Sequence, residues 1–356
     1  MKTQKISSTD KMTDLSLMRV IACLGIVILH TVFAADEYFA AAITPGQHLI
    51  SRIVENNMMW AVPTFLMVTG SLQLDTTKEL TLSKLYKKYV LRILIALVAC
   101  CILFRIFDMI MDGEAFTFAG VMVAFKELFI GKAWGHLWYL YLLIGLYVLL
   151  PFYRKITRFC TDRELLYLAW IYFIFVSIVP TIEAFGVPVA FYIGESLIYP
   201  LYMLLGYLIH RGRLKIGAGM GLVLMVAGTA AIVIMDFEKY GASVDIPAHM
   251  FGYSSPVVVI QTIGVFALVC GGRQALKSIL SAKPTLAGFI SMVDAQAFGI
   301  YLIHMVFIRL LFKYWMVNPY EYGGGALLIA IVPGIFILSF MITWALRKIP
   351  AVRKVL

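Results

Sequence analysis

Long apolar runs separated by short polar breaks dominate the chain. Ten runs, at roughly 15–34, 51–74, 90–111, 136–153, 165–184, 194–211, 216–236, 252–270, 297–315 and 324–346, each predict a helix crossing a bilayer. They are continuous rather than alternating, which excludes the strands of a β-barrel. Two further apolar segments, about 115–131 and 276–294, are short and interrupted. They are expected to lie along the interface or re-enter the membrane. Val32-Phe33-Ala34 resembles a leader cleavage site, but the run before it is long and contains an arginine, so it reads as a helix. The expected fold is an all-α integral membrane protein, a polytopic bundle of about ten transmembrane helices. Residues 1–356 form one membrane-embedded domain, with a short N-terminal segment 1–14 and a basic tail 347–356.

Composition agrees: 62% of the 356 residues are hydrophobic and 14% charged. A soluble domain carries about 25% charge, so a soluble enzyme, a disordered chain and a disulfide-stapled secreted domain are excluded. The net charge of +10 would suggest nucleic acid in a soluble protein. Here its distribution explains it. With the N-terminus cytoplasmic, 22 Lys and Arg fall on inside segments and five (Arg52, Lys126, Lys132, Lys239, Lys313) outside. That bias follows the positive-inside rule and predicts both termini in the cytoplasm. The cysteines Cys23, Cys100, Cys101, Cys160 and Cys270 lie in or beside apolar segments without metal-like spacing and read as small core residues.

Ionisable groups inside spans are costly and mark candidate function. The first span carries Arg19 and His30. Eleven residues rise about 16 Å and turn through three turns plus about 20°, so both lie on one face. A cation near the cytoplasmic end thus stands in line with a titratable base toward the outer half of the membrane. The bland alternative is that Arg19 snorkels and His30 bonds a neighbouring helix. In the second span, Glu55 is three residues from Arg52 and pairs with it or orients a histidine; Asn56 and Asn57 suit interhelical hydrogen bonds. His136 opens the fourth span beside Trp138 and Tyr139, where an interfacial surface histidine is the competing reading. Arg105 and Asp108 are spaced to pair. Glu195, Ser196 and Tyr199, then Ser254, Ser255 and Gln261, then Tyr301, His304 and Arg309 add polar groups to later spans. Together they predict a polar interior.

No phosphate-binding loop, dinucleotide-binding glycine pattern, HExxH or paired CxxC is present, and no zinc spacing, so no metal is expected. Gly323-Gly324-Gly325 reads as a turn, and Gly217, Gly219 and Gly221 as close helix packing.

Arg19-x10-His30 resembles the signature of the acyltransferase 3 family of integral membrane acyltransferases. So do Pro63–Ser71 at the end of the second span, the basic stretch Lys84–Ile93, His136-Leu-Trp138-Tyr-Leu140, and Phe298–His304. The resemblance implies transfer of an acyl group, usually acetyl, from cytosolic acyl-CoA to a hydroxyl of a cell-envelope carbohydrate or related acceptor. It implies His30 as catalytic residue, acting as base or acyl carrier, with Arg19 its motif partner. It also implies a bacterial cytoplasmic membrane, a lipid bilayer as surroundings, and no nucleic acid partner. The family's cytoplasmic Arg-x-x-Arg falls on Tyr89 and Arg92, so the first arginine is missing. Lys84, Lys87, Lys88 and Arg92 form the expected cationic site for CoA phosphates. Glu55, Asn56, His136, Ser254, Tyr301 and His304 are candidate supporting groups. Trp134, Trp138, Tyr192, Tyr253, Trp315 and Tyr320 either stack on sugar rings or form the interfacial belt. A multi-span transporter for a small polar or carbohydrate-derived solute is the alternative.

Overall fold

The computed structural model describes residues 13–191 and 193–356. Lys2, Lys5, Lys11, Tyr192 and the side chain of Glu195 lie outside that description. Fourteen helices build the fold among these residues. They are α1 (Asp14–Tyr38), α2 (Pro45–Asn56), α3 (Ala61–Gln73), α4 (Leu82–Met111), α5 (Phe118–Ile130), α6 (Gly135–Phe159) and α7 (Asp162–Ala184). Then come α8 (Ile198–His210), α9 (Ala218–Gly241), α10 (Ala248–Gly271), α11 (Arg273–Ala282), α12 (Pro284–Tyr314), α13 (Leu328–Leu346) and α14 (Pro350–Arg353). Eight of them, namely α1, α4, α6, α7, α9, α10, α12 and α13, are long and apolar enough to cross a membrane.

The other two expected spans differ from expectation for local reasons. The second is broken into α2 and α3. α2 ends at its C-cap Asn57, whose side chain donates to the carbonyl of Ile53 at 2.9 Å. Pro63 sits in the first turn of α3, where its missing N–H costs nothing. The sixth is the 13-residue α8, about 20 Å long, shorter than a hydrocarbon core of about 30 Å. The ninth starts earlier than expected. α12 begins at Pro284 and absorbs the end of the 276–294 segment, while α11 takes its beginning. Segment 115–131 contains α5, packed on α4.

Close packing uses glycine where backbones meet. Gly221 lies against the main chain of Ala267 and Leu268, Gly264 against Met225, and Gly271 against Ala218, so α9 and α10 touch along their length. Gly217 has open space where its own side chain would stand, though its main chain lies against Gly271; Gly219 also faces open space, which corrects its assignment to packing. Gly70 of α3 and Gly206 of α8 each abut the other helix's main chain, at Met203 and Met67. Gly323, Gly324 and Gly325 all have positive φ and form the expected turn. The five cysteines are free thiols.

Candidate active site

α1 packs against α12, and the two run in the same direction. Near its start, Arg19 meets Asp294 of α12 in a two-pronged ion pair, Nε to Oδ1 at 2.5 Å and Nη2 to Oδ2 at 2.6 Å. Eleven residues along, His30 Nδ1 lies 2.8 Å from Nε2 of His304, also on α12. The two α1 residues do share a face, and that face is turned to α12. The second histidine is fully buried, and His30 is partly buried.

His136 completes a cluster of three imidazoles. Its ring centroid is 5.6 Å from that of His304 and 6.5 Å from that of His30. It is 5% exposed, which overturns the surface reading. Its Nε2 donates to the carbonyl of Leu302 at 3.2 Å, and its own carbonyl accepts the hydroxyl of Tyr301. His304 donates from Nδ1 to the carbonyl of Ile300 at 3.1 Å. Residues 300–304 of α12 therefore hold all three rings.

A cavity of 580 Å³ approaches this cluster through Tyr301, while the three histidines themselves do not line it. Arg92, Arg347 and Arg353 line one end, Arg19 and Asp294 line its wall, and Ile26, Tyr139 and Tyr301 reach its other end. Ile26 is one helical turn, about 6 Å, before His30. Burial and the neighbouring Arg353 lower the pKa of Arg347 from its ordinary value, the mark of cations crowded together. Arg92 donates to the main-chain oxygens of Val355 and Leu356 at 2.8 and 2.6 Å. Tyr89 lines the same cavity and stacks on Tyr147.

Several expected residues lie elsewhere. Lys84, Lys87 and Lys88 are exposed on the turn of helix before Arg92 and do not line the cavity. The helix passes through a π turn at Leu85–Val90, and within this stretch Tyr89 and Arg92 line the cavity. Glu55 pairs with Arg52 at 2.9 Å, as its spacing predicted, and with no histidine among the described residues. Asn56 donates to Asp236 at 2.7 Å, tying α2 to α9, and Gln261 donates to Asn57. Ser254 stands beside His249, apart from the imidazole cluster. Arg105 and Asp108 do not pair. Arg105 binds Glu114 across the turn after α4, and Asp108 accepts from Arg309 and from Trp134 Nε1, each at 2.7 Å. Trp134 and Tyr320 are buried, so neither belongs to an interfacial belt or an open sugar platform.

Asp294, Arg347 and Arg353 were not singled out by sequence. Asp294 carried one usable signal: it precedes His304 by ten residues, nearly the spacing of Arg19 and His30. No curated protein and no solved structure matches the chain. A family model described as an acyltransferase domain matches residues 12–348. With that match spanning nearly the whole chain, and with Arg19 and His30 set on one face of a membrane helix, the chain belongs to the acyltransferase 3 family, the membrane acyltransferases.

Proposed function

We propose that this protein moves an acyl group, most simply acetyl, from cytosolic acyl-CoA to a hydroxyl of a cell-envelope carbohydrate, with His30 at the reacting centre. The observation that carries this is one continuous cavity between a cluster of guanidiniums and a point one turn from His30. A CoA thioester is an anionic nucleotide at one end and an acyl thioester at the other, joined by a thin arm. Arg92, Arg347 and Arg353 supply charge and hydrogen bonds for phosphate. The arm passes Arg19 and Phe65, and the thioester comes up beneath His30.

A lone pair of His30 takes the proton of the acceptor hydroxyl as its oxygen attacks the thioester carbonyl. The C–S bond breaks, the acyl group stays on oxygen, and the leaving thiolate takes the proton from the imidazolium. In the alternative order the imidazole nitrogen attacks first and carries the acyl group to the hydroxyl. The basic end faces the cytosol in this reading, and the broken α2–α3 pair and short α8 each complete a crossing. Ten crossings then leave α1 and α12 starting on the same side, which agrees with their parallel packing.

The test is release of CoA thiol from acetyl-CoA by protein in nanodiscs, with and without envelope glycans, beside His30→Ala. Turnover that His30→Ala abolishes is expected. Turnover that survives it removes His30 from the chemistry, and absence of both turnover and CoA binding in folded protein removes the acyl-CoA reading.

A further inference from the structure

We infer that His304 is a positioning residue that fixes the tautomer of His30, leaving Nε2 of His30 as the nitrogen with the reactive lone pair. The inference deepens the acyl-transfer reading and rests on it for its catalytic meaning.

The assignment follows from one carbonyl. An oxygen of a peptide group only accepts, so the His304 nitrogen 3.1 Å from the Ile300 carbonyl, Nδ1, carries a hydrogen. A neutral imidazole has one N–H, so Nε2 of His304 bears a lone pair. His30 Nδ1, 2.8 Å from that lone pair, is then the donor. Its own Nε2 is left unprotonated. The ring geometry agrees. The two planes differ by 8° and the centroids are 5.1 Å apart. That is the arrangement of two rings joined edge to edge in one plane by a hydrogen bond, not face to face.

His136 does not compete for this role. Its Nε2 donates to Leu302, so its Nδ1 also has a lone pair, and that atom is buried without a partner. It has no hydrogen to offer His30. Among the described residues no carboxylate contacts the three rings, so the tautomer is set by the relay Ile300 carbonyl, His304, His30. When His30 Nε2 takes a proton, the hydrogen that His30 Nδ1 donates to His304 becomes charge-assisted, and the same bond strengthens as positive charge develops. Strengthening of this kind raises kcat without contributing to donor binding.

The test uses three variants in nanodiscs. The side-chain oxygen of Gln reaches the position of Nε2 and accepts from His30, whereas Asn falls short and Leu accepts nothing. His304→Gln is expected to keep kcat within a few-fold of wild type. His304→Asn and His304→Leu are expected to lose about 10–100-fold in kcat, with KM for the donor unchanged within about twofold. Equal losses in all three variants, or a loss carried by KM, would overturn the role. A second measurement needs no turnover. In protein labelled with ¹⁵N-histidine, with His30→Ala identifying the His30 signals, Nδ1 of His30 is expected to carry the hydrogen, and in His304→Leu this preference is expected to vanish. A hydrogen on Nε2 in the wild type overturns the inference even where no acyl transfer is found. A protein with the expected tautomer and no acyl-CoA turnover loses the catalytic reading and keeps the positioning.

Discussion

Replacing Tyr89 by arginine tests the proposed binding of the donor in the cavity by adding the arginine that the family resemblance implies there and this chain lacks. Tyr89 lies three residues before Arg92, and both line the cavity end that holds Arg347 and Arg353. A guanidinium there comes within about 5 Å of a phosphate held by Arg92. At an effective dielectric of about 40, a charge of about −1.5 at that distance attracts it by roughly 2.5 kcal/mol. The cavity is open to water, and screening at about 0.1 M salt, where the Debye length is about 10 Å, leaves roughly 1.5 kcal/mol. That is about a tenfold lower KM for acyl-CoA. Repulsion between the new arginine and Arg92 is present with and without donor and largely cancels. Losing the stack on Tyr147, with rings 5.8 Å apart, costs about 0.5–1.5 kcal/mol of stability and shows as a lower Tm. The assay is acyl-CoA turnover in nanodiscs at 0.1 M and 1 M salt, with Tyr89→Gln as the uncharged control. A lower KM confined to arginine and shrinking at high salt is expected. An unchanged KM in folded, active Tyr89→Arg, or an equal decrease in Tyr89→Gln, refutes the placement of donor phosphate at Arg92.

Other perturbations test the frame around the site. Arg19→Ala and Asp294→Ala, measured with their double variant by thermal unfolding, are expected to couple by about 1–3 kcal/mol, below a fully buried pair because both side chains keep some exposure; additive effects would deny the pair. Arg19→Lys keeps the charge but loses the fork, and turnover is expected to fall about tenfold or more while expression holds. Gly206→Ala puts a methyl into the main chain of Met67 and is expected to lower Tm strongly or block folding, while Gly217→Ala, facing open space, leaves Tm nearly unchanged. Asp108→Ala strands Arg309 and Trp134 Nε1 and is expected to cost about 2–4 kcal/mol in unfolding without altering donor KM, since none of the three lines the cavity.

Helical periodicity made one half of the site legible and left the other half hidden. Arg19 and His30 could be placed on one face because a helix's rotation per residue is fixed by its own hydrogen bonds. Their partners could not be named, because Asp294 and His304 follow about 275 residues later and nothing local says which helix packs on which. The same distinction explains Arg105 and Asp108. Spacing of three residues brings two side chains within reach, but such pairs are worth only about 0.2–0.5 kcal/mol. Asp108 gains more from Arg309 and Trp134 together, and Arg105 from Glu114. Arg52 and Glu55 pair as spaced. The lining of the cavity was hidden for a related reason: of the four cations in the basic stretch, Arg92 lines it and the three lysines do not. A run of lysines shows which side of the membrane a loop occupies, but contacts with distant segments, such as those of Arg92 with Val355 and Leu356, decide which of its residues look inward.

The register between α1 and α12 ties these observations to function. From Arg19 to His30 the helix rises about 16 Å, and from Asp294 to His304 about 15 Å. Two parallel helices with nearly equal separations match cation to carboxylate and imidazole to imidazole at once. An antiparallel pair would set Asp294 against His30 and leave Arg19 facing an imidazole. The ion pair thereby acts as a register pin for His30. A shift of one residue along α12 moves His304 by about 1.5 Å in rise and about 100° around the axis, which breaks the hydrogen bond to His30. Damage at Asp294 should therefore be felt at His30, three turns away, without any change in the imidazoles themselves.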